Sequence, residues 1–140
     1  MTGAGLRRTE LYALVAAGSA LGALARWAVM LAAGDGGAAA WPWGTFVANV
    51  AGSALVGWLA GLVARRRGPL AGLPGQLLLM TGFCGGFTTF SAFALEVLAQ
   101  LQAGRVGLAL AYVATSVPLW LAAAWAGYRL GAQGRWGSAR

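Results

Sequence analysis

Four stretches of this 140-residue chain are long and apolar enough to cross a bilayer: Leu11–Ala33, Trp43–Ala64, Leu73–Leu101 and Val106–Leu130. A spanning helix needs about 20 mostly apolar residues. Inside the hydrocarbon layer, backbone amides find no water, so each stretch must satisfy its own hydrogen bonds as a helix. Short polar or glycine-rich breaks at Gly34–Gly37, Arg65–Gly68 and Gln102–Arg105 separate the four. Too few residues remain for a soluble domain. The expected fold is an all-α membrane protein, one four-helix transmembrane domain over residues 1–140.

The net charge of +7 invites a nucleic-acid reading, yet the arginines form no continuous basic face. They sit at the span ends, as do Trp41, Trp43 and Trp136, where indole rings anchor at membrane interfaces. Eight arginines (Arg7, Arg8, Arg65, Arg66, Arg67, Arg129, Arg135, Arg140) fall on one side of a four-span fold, against Arg26 and Arg105 on the other. That bias predicts a multi-pass protein of a cell membrane with both termini cytoplasmic. Arg7, Arg8, the following apolar run and Ala23-Leu24-Ala25 also read as a cleavable secretory signal. Apolar residues resume after Arg26, so a retained first helix is expected. There is no histidine or lysine, and Cys84 is the one cysteine. No nucleophile–base pair or metal cluster emerges, so the chain reads as no enzyme.

The third stretch carries the unusual chemistry. It is longer than an upright span requires, which either tilt or a break explains. Gly82, Gly85 and Gly86, then β-branched Thr88 and Thr89, favour a break. Carbonyls freed there can coordinate a cation. Phe87, Phe90 and Phe93 recur every third residue, roughly on one helical face, with Phe83 one turn earlier. Packing alone would account for such a stripe. Thr88, Thr89 and Ser91 are interleaved with it, however, and ring edges with hydroxyl donors suit a small anion held without a full counter-charge. Such weak sites permit rapid passage.

On the second stretch Asn49 lies deep among apolar residues, either facing a pore or bridging helices, with Ser53, Gly57 and Gly61 spaced for close packing. On the fourth, Tyr112 and Ser116 are one turn apart and form a short polar track or a packing pair. Arg26 and Glu96 are the ionisable groups nearest span interiors. For both, structural support is expected rather than direct transport: Arg26 snorkelling or lining a vestibule, Glu96 pairing or marking a helix end.

Together these residues resemble the small fluoride channels called Fluc or CrcB. The specific match is GFCGGFTTFSAF, Gly82–Phe93, supported in order by GALAR at Gly22–Arg26, GTFVANVAGS at Gly44–Ser53 and Tyr112-x-x-x-Ser116. The resemblance implies a fluoride-specific channel built from two antiparallel subunits in lipid, with two pathways along their interface and passive fluoride efflux. It maps the pathway onto Asn49, Phe90, Phe93, Tyr112 and Ser116, beside the hydroxyls of Thr89 and Ser91, and the first-span arginine onto Arg26. It also implies a structural sodium ion, not transported, on the backbone carbonyls of Gly85 and Thr88.

Three positions depart from the family pattern. Ala92 and Ala94 stand where hydroxyls are frequent, and Trp120 stands one turn after Ser116, where a second serine is common. The arginine bias leaves both a homodimer and a heterodimer of oppositely oriented paralogues open. A small multidrug exporter is the nearest rival, and it needs an intramembrane carboxylate. A non-transporting scaffold leaves the glycine, hydroxyl and phenylalanine cluster unexplained.

Overall fold

A computed structural model describes residues 7–34, 37, 40–65, 70 and 72–133. Arg66, Arg67, Arg135, Trp136 and Arg140, used above for topology, lie outside the described residues. The described elements are helical: α1 (Arg8–Ala33), α2 (Trp43–Ala64), α3 (Leu73–Gln76), a π-helical stretch (Leu77–Cys84), α4 (Gly85–Phe87), α5 (Phe90–Gln102) and α6 (Val106–Gln133). They make four candidate spans, the third being Leu73–Gln102, so the chain is a multi-pass membrane protein with a broken third span. α1 starts three residues earlier than expected because Glu10 Oε2 accepts the Arg7 amide at 2.9 Å, capping the first turn. It then runs unbroken through Ala23–Ala25.

Apolar side chains gain nothing from leaving lipid for one another, so backbone proximity must hold such a bundle. Glycine supplies it in two places. Gly57 and Gly61 on α2 face Gly127 and Gly131 on α6, and a β-carbon at any of the four would overlap backbone of the opposite helix. The packing expected of Gly57 and Gly61 is thus present. Gly18 and Gly22 on α1 do the same against the third span, where a β-carbon on Gly82 would come 2.9 Å from the Gly18 Cα. Outside these seams, Leu21, Leu24, Leu31, Leu110, Leu121 and Leu130 are exposed, as a lipid-facing surface requires.

The break does not fall at the glycines. Gly82 and Gly86 are helical and serve close approach to α1, Gly86 against Ser19. The helix opens at Thr88 (φ −86°, ψ 157°) and Thr89 (φ −152°, ψ 120°), both extended. Each threonine has a job there. The Thr88 amide and hydroxyl both donate to the Cys84 carbonyl, at 3.0 and 2.9 Å, closing the first half. The Thr89 hydroxyl accepts the Ala92 amide at 3.1 Å, capping α5. The π-helical run before the break was not foreseen; its wider turns absorb part of the span's excess length.

The break also splits the phenylalanine stripe. Phe83 and Phe87 stack on the first half, centroids 5.8 Å apart, whereas Phe90 and Phe93 pair on the second at 5.7 Å. Trp41 is another correction. It turns inward, edge-on to Tyr112 at 5.2 Å, instead of anchoring at an interface, while Trp43 remains exposed.

Candidate functional site

Asn49 is the residue that holds the break open. It is buried on α2, and its carboxamide makes a two-way bond with one residue across the bundle. The Thr89 amide donates to Asn49 Oδ1 at 2.7 Å, and Asn49 Nδ2 donates to the Thr89 carbonyl at 2.9 Å. In a continuous α-helix the Thr89 amide would close on the Gly85 carbonyl, four residues back. Likewise the Ala92 amide would close on Thr88, but it is taken by the Thr89 hydroxyl. The break leaves the carbonyls from Gly85 to Thr88 without their i+4 amides, and those of Gly85 and Thr88 are the two whose amides are bonded elsewhere. The second hydrogen of Asn49 Nδ2 has no partner among the described residues.

Gly85, Thr88, Thr89, Phe90, Asn49, Ser53 and Trp120 line one groove of about 370 Å³. A β-carbon on Gly85 would meet nothing, so the space before this residue is open. Phe90, 71% exposed, lines the same groove. Ser91 is exposed too, 3.3 Å from the Thr89 hydroxyl.

A second groove, about 570 Å³, is lined by Trp41, Thr45, Glu96 and Gln100, among others. Glu96 lies well inside α5, so it marks no helix end. Its carboxylate instead accepts hydroxyl bonds from Thr45 of α2 and from Tyr112 of α6, the latter at 2.8 Å. Phe93, buried, packs its ring against Trp120 of the first groove at 4.8 Å and against Tyr112, which bonds Glu96 of the second, at 4.9 Å. Ser116 is fully buried one turn from Tyr112 and bonded to nothing among the described residues.

Most of the residues singled out in the sequence therefore meet along one line: Gly85, Thr88, Asn49, Thr89 and Phe90, then Phe93, then Tyr112 and Glu96. Arg26 stands apart. It is half-buried on α1 with its Nε unpartnered, and no hydrogen bond links it to this line among the described residues. Sequence reasoning missed Thr45 and Gln100. Thr45 is one turn before Asn49 and so on its face, which was a usable signal. Gln100, 1% exposed with both amide atoms unpartnered, carried none beyond a polar residue near a span end.

Comparison with known proteins agrees with this architecture. The model of the family described as "CrcB-like protein, Camphor Resistance (CrcB)" matches residues 13–128. The protein named Fluoride-specific ion channel FluC 1 of Bradyrhizobium diazoefficiens is 43% identical over 122 residues, covering 87% of this chain and 84% of that protein. Fluoride-specific ion channel FluC of Novosphingobium aromaticivorans is 50% identical over 107 residues, covering 75% and 82%. That of Agrobacterium fabrum is 41% identical over 124 residues, covering 85% and 94%. The match reaches all four candidate spans and takes in both grooves, and this chain belongs to the CrcB family.

Proposed function

We propose that this chain is a subunit of a fluoride-specific ion channel in a bacterial cell membrane, working as an antiparallel pair, homodimeric or heterodimeric, with passive fluoride efflux as its task. The names of relatives 41–50% identical support the ion. The observation that carries the reading is the line of weak donors and ring edges from Asn49 past Phe93 to Tyr112, with a groove at each end. No lysine or arginine lies on that line, so an anion is held only by neutral donors and ring edges and can leave.

The order of roles follows from the geometry. Asn49 fixes the Thr89 backbone and presents its spare N–H to the groove. Phe90 and Phe93, tilted 48° to one another, offer ring edges to an ion stripped of water. Phe93 packs between Trp120 of one groove and Tyr112 beside the other. Glu96 keeps the Tyr112 and Thr45 hydroxyls aligned. Its half-buried carboxylate is the one feature that favours a proton-coupled exporter, but both of its oxygens are occupied by hydroxyl donors.

The sodium ion implied by the family fits the donors present. Gly85 and Thr88 carbonyls are the pair whose helical amides are diverted, hard oxygens are what sodium takes, and the space before Gly85 is open. Bound there, sodium supplies a fixed positive charge and ties together the carbonyls that the break releases.

Efflux follows from chemistry outside the protein. Hydrogen fluoride crosses lipid from acidic surroundings and dissociates in a neutral cytoplasm. An inside-negative potential then drives the anion outward with about 2.3 kcal/mol per 100 mV. Expression in a bacterium made fluoride-sensitive by loss of its own channel tests this. Restored growth in fluoride is expected from the native chain, with its partner if it has one, and not from Phe93→Ile. Continued sensitivity despite membrane-inserted protein and partner would remove the efflux role.

A further inference from the structure

Thr45, Asn49 and Ser53 recur every four residues and so share one face of α2. The first two are committed. The Thr45 hydroxyl donates to Glu96, and Asn49 spends its carbonyl and one N–H on Thr89. Ser53, half-buried, makes no side-chain hydrogen bond among the described residues. A helical serine ordinarily closes on the carbonyl four residues back, as Thr88 does on Cys84. Ser53 does not, and its oxygen is not walled in as that of Ser116 is.

The packing on either side explains the opening. The glycine seam between α2 and α6 starts one turn later at Gly57, where a β-carbon would overlap the Ala124 backbone. Ser53 instead lines the first groove with Trp120, Gly85, Thr88 and Phe90. Gly52 beside it brings the break against α2, since a β-carbon there would overlap the Thr88 methyl. The uncommitted hydroxyl therefore shares one groove with the spare Asn49 N–H, and the next α2 residue along that groove, Val56, is apolar.

We propose that Ser53 is a fluoride-binding residue: its hydroxyl and the spare Asn49 N–H, one turn apart, form a two-donor site that extends the pathway past Asn49, away from Thr45 and Glu96. The inference rests on the channel reading above, and no role implied by the family resemblance falls on Ser53. A hydroxyl suits this guest, because its hydrogen bond to an anion shortens and strengthens as the anion becomes more compact. Both donors are neutral, so the ion is held without being trapped.

Two measurements on the assembly that supports flux test it. The first labels serine β-carbons with 13C in protein embedded in lipid with sodium fluoride, and assigns the Ser53 signal by its loss in Ser53→Ala or Ser53→Thr. Dephasing of that signal by 19F in solid-state NMR is expected, since the bound ion lies within hydrogen-bonding reach of the hydroxyl. The second compares fluoride release from liposomes. Ser53→Ala should slow it about tenfold or more, the worth of one hydrogen bond to an ion, and Ser53→Thr, which keeps the hydroxyl, should restore most of it. A Ser53 signal untouched by 19F means that water or a partner subunit takes the hydroxyl, and it overturns the inference. So does undiminished release from Ser53→Ala, or an equal loss in Ser53→Thr. Any of these with native release intact leaves the channel standing, whereas a native assembly that releases no fluoride removes both.

Discussion

Replacing Asn49 with alanine strips two bonds from one buried residue at once. Thr89 is 8% exposed and Asn49 4%, so water does not readily substitute. The truncation orphans the Thr89 amide and carbonyl, and each buried orphan costs about 1–3 kcal/mol. The amide has a fallback: it can close on the Gly85 carbonyl and lengthen α4 by a turn, recovering about 1 kcal/mol. The net loss is then about 1–5 kcal/mol, or roughly five- to five-thousandfold in the population of the open break. Hydrogen exchange followed by mass spectrometry over residues 85–93 reads this directly. Protection at Thr89 should weaken by that factor in Asn49→Ala, and fluoride release should fall with it, since the freed carbonyls and the spare N–H are lost together. Unchanged exchange at Thr89 would show that the carboxamide does not hold the break. Normal release with altered exchange would show that the break does not govern the pathway.

Other substitutions probe separate parts. Gly57→Ala drives a methyl into the Ala124 carbonyl of α6 and should lower the melting temperature of the purified protein, because backbone cannot step aside. Gly85→Ala keeps the carbonyl and places a methyl in open space on a helical backbone (φ −63°), so the subunit should fold and melt normally while its sodium response weakens as the methyl intrudes on the ion; an unaltered response would show that the ion does not occupy that space. Phe93→Ile keeps bulk and loses the ring edge, and should slow release in liposomes without changing assembly measured by gel filtration. Tyr112→Phe leaves Glu96 with Thr45 alone and should destabilise by about 1.5–3 kcal/mol, the range for bonds to charged groups, seen in chemical denaturation.

Hydropathy located the four spans to within a few residues, because the cost of unpaired backbone in lipid leaves helices as the only solution for such a chain. The broken third span was legible too, and its hinge in part: Thr88 and Thr89 open as expected, while the glycines do not. Gly82, Gly85 and Gly86 are the weakest helix formers in the run, yet two of them are used to approach α1 and all three stay helical. What opens the helix is a tertiary bond from Asn49, forty residues away in sequence, together with the Thr89 cap. Capping threonines leave a local trace; Asn49 shows in sequence as a buried carboxamide that bridges helices or faces a pore, but not which residue it holds. The same limit explains Glu96, which looked peripheral until α2 and α6 brought Thr45 and Tyr112 to it. Trp41 illustrates the reverse error: an interfacial residue by position, it is drawn inward by Tyr112 and Phe46.

The central claim is that this fold passes fluoride and little else. Purified chain is reconstituted into liposomes loaded with fluoride or with chloride, first alone and then with an oppositely oriented paralogue, and ion electrodes follow efflux. The account predicts fast fluoride release with chloride retained, from the chain alone if it is a homodimer and from the pair if it is not. Chloride released as fast as fluoride, or no fluoride release from either preparation, would contradict it.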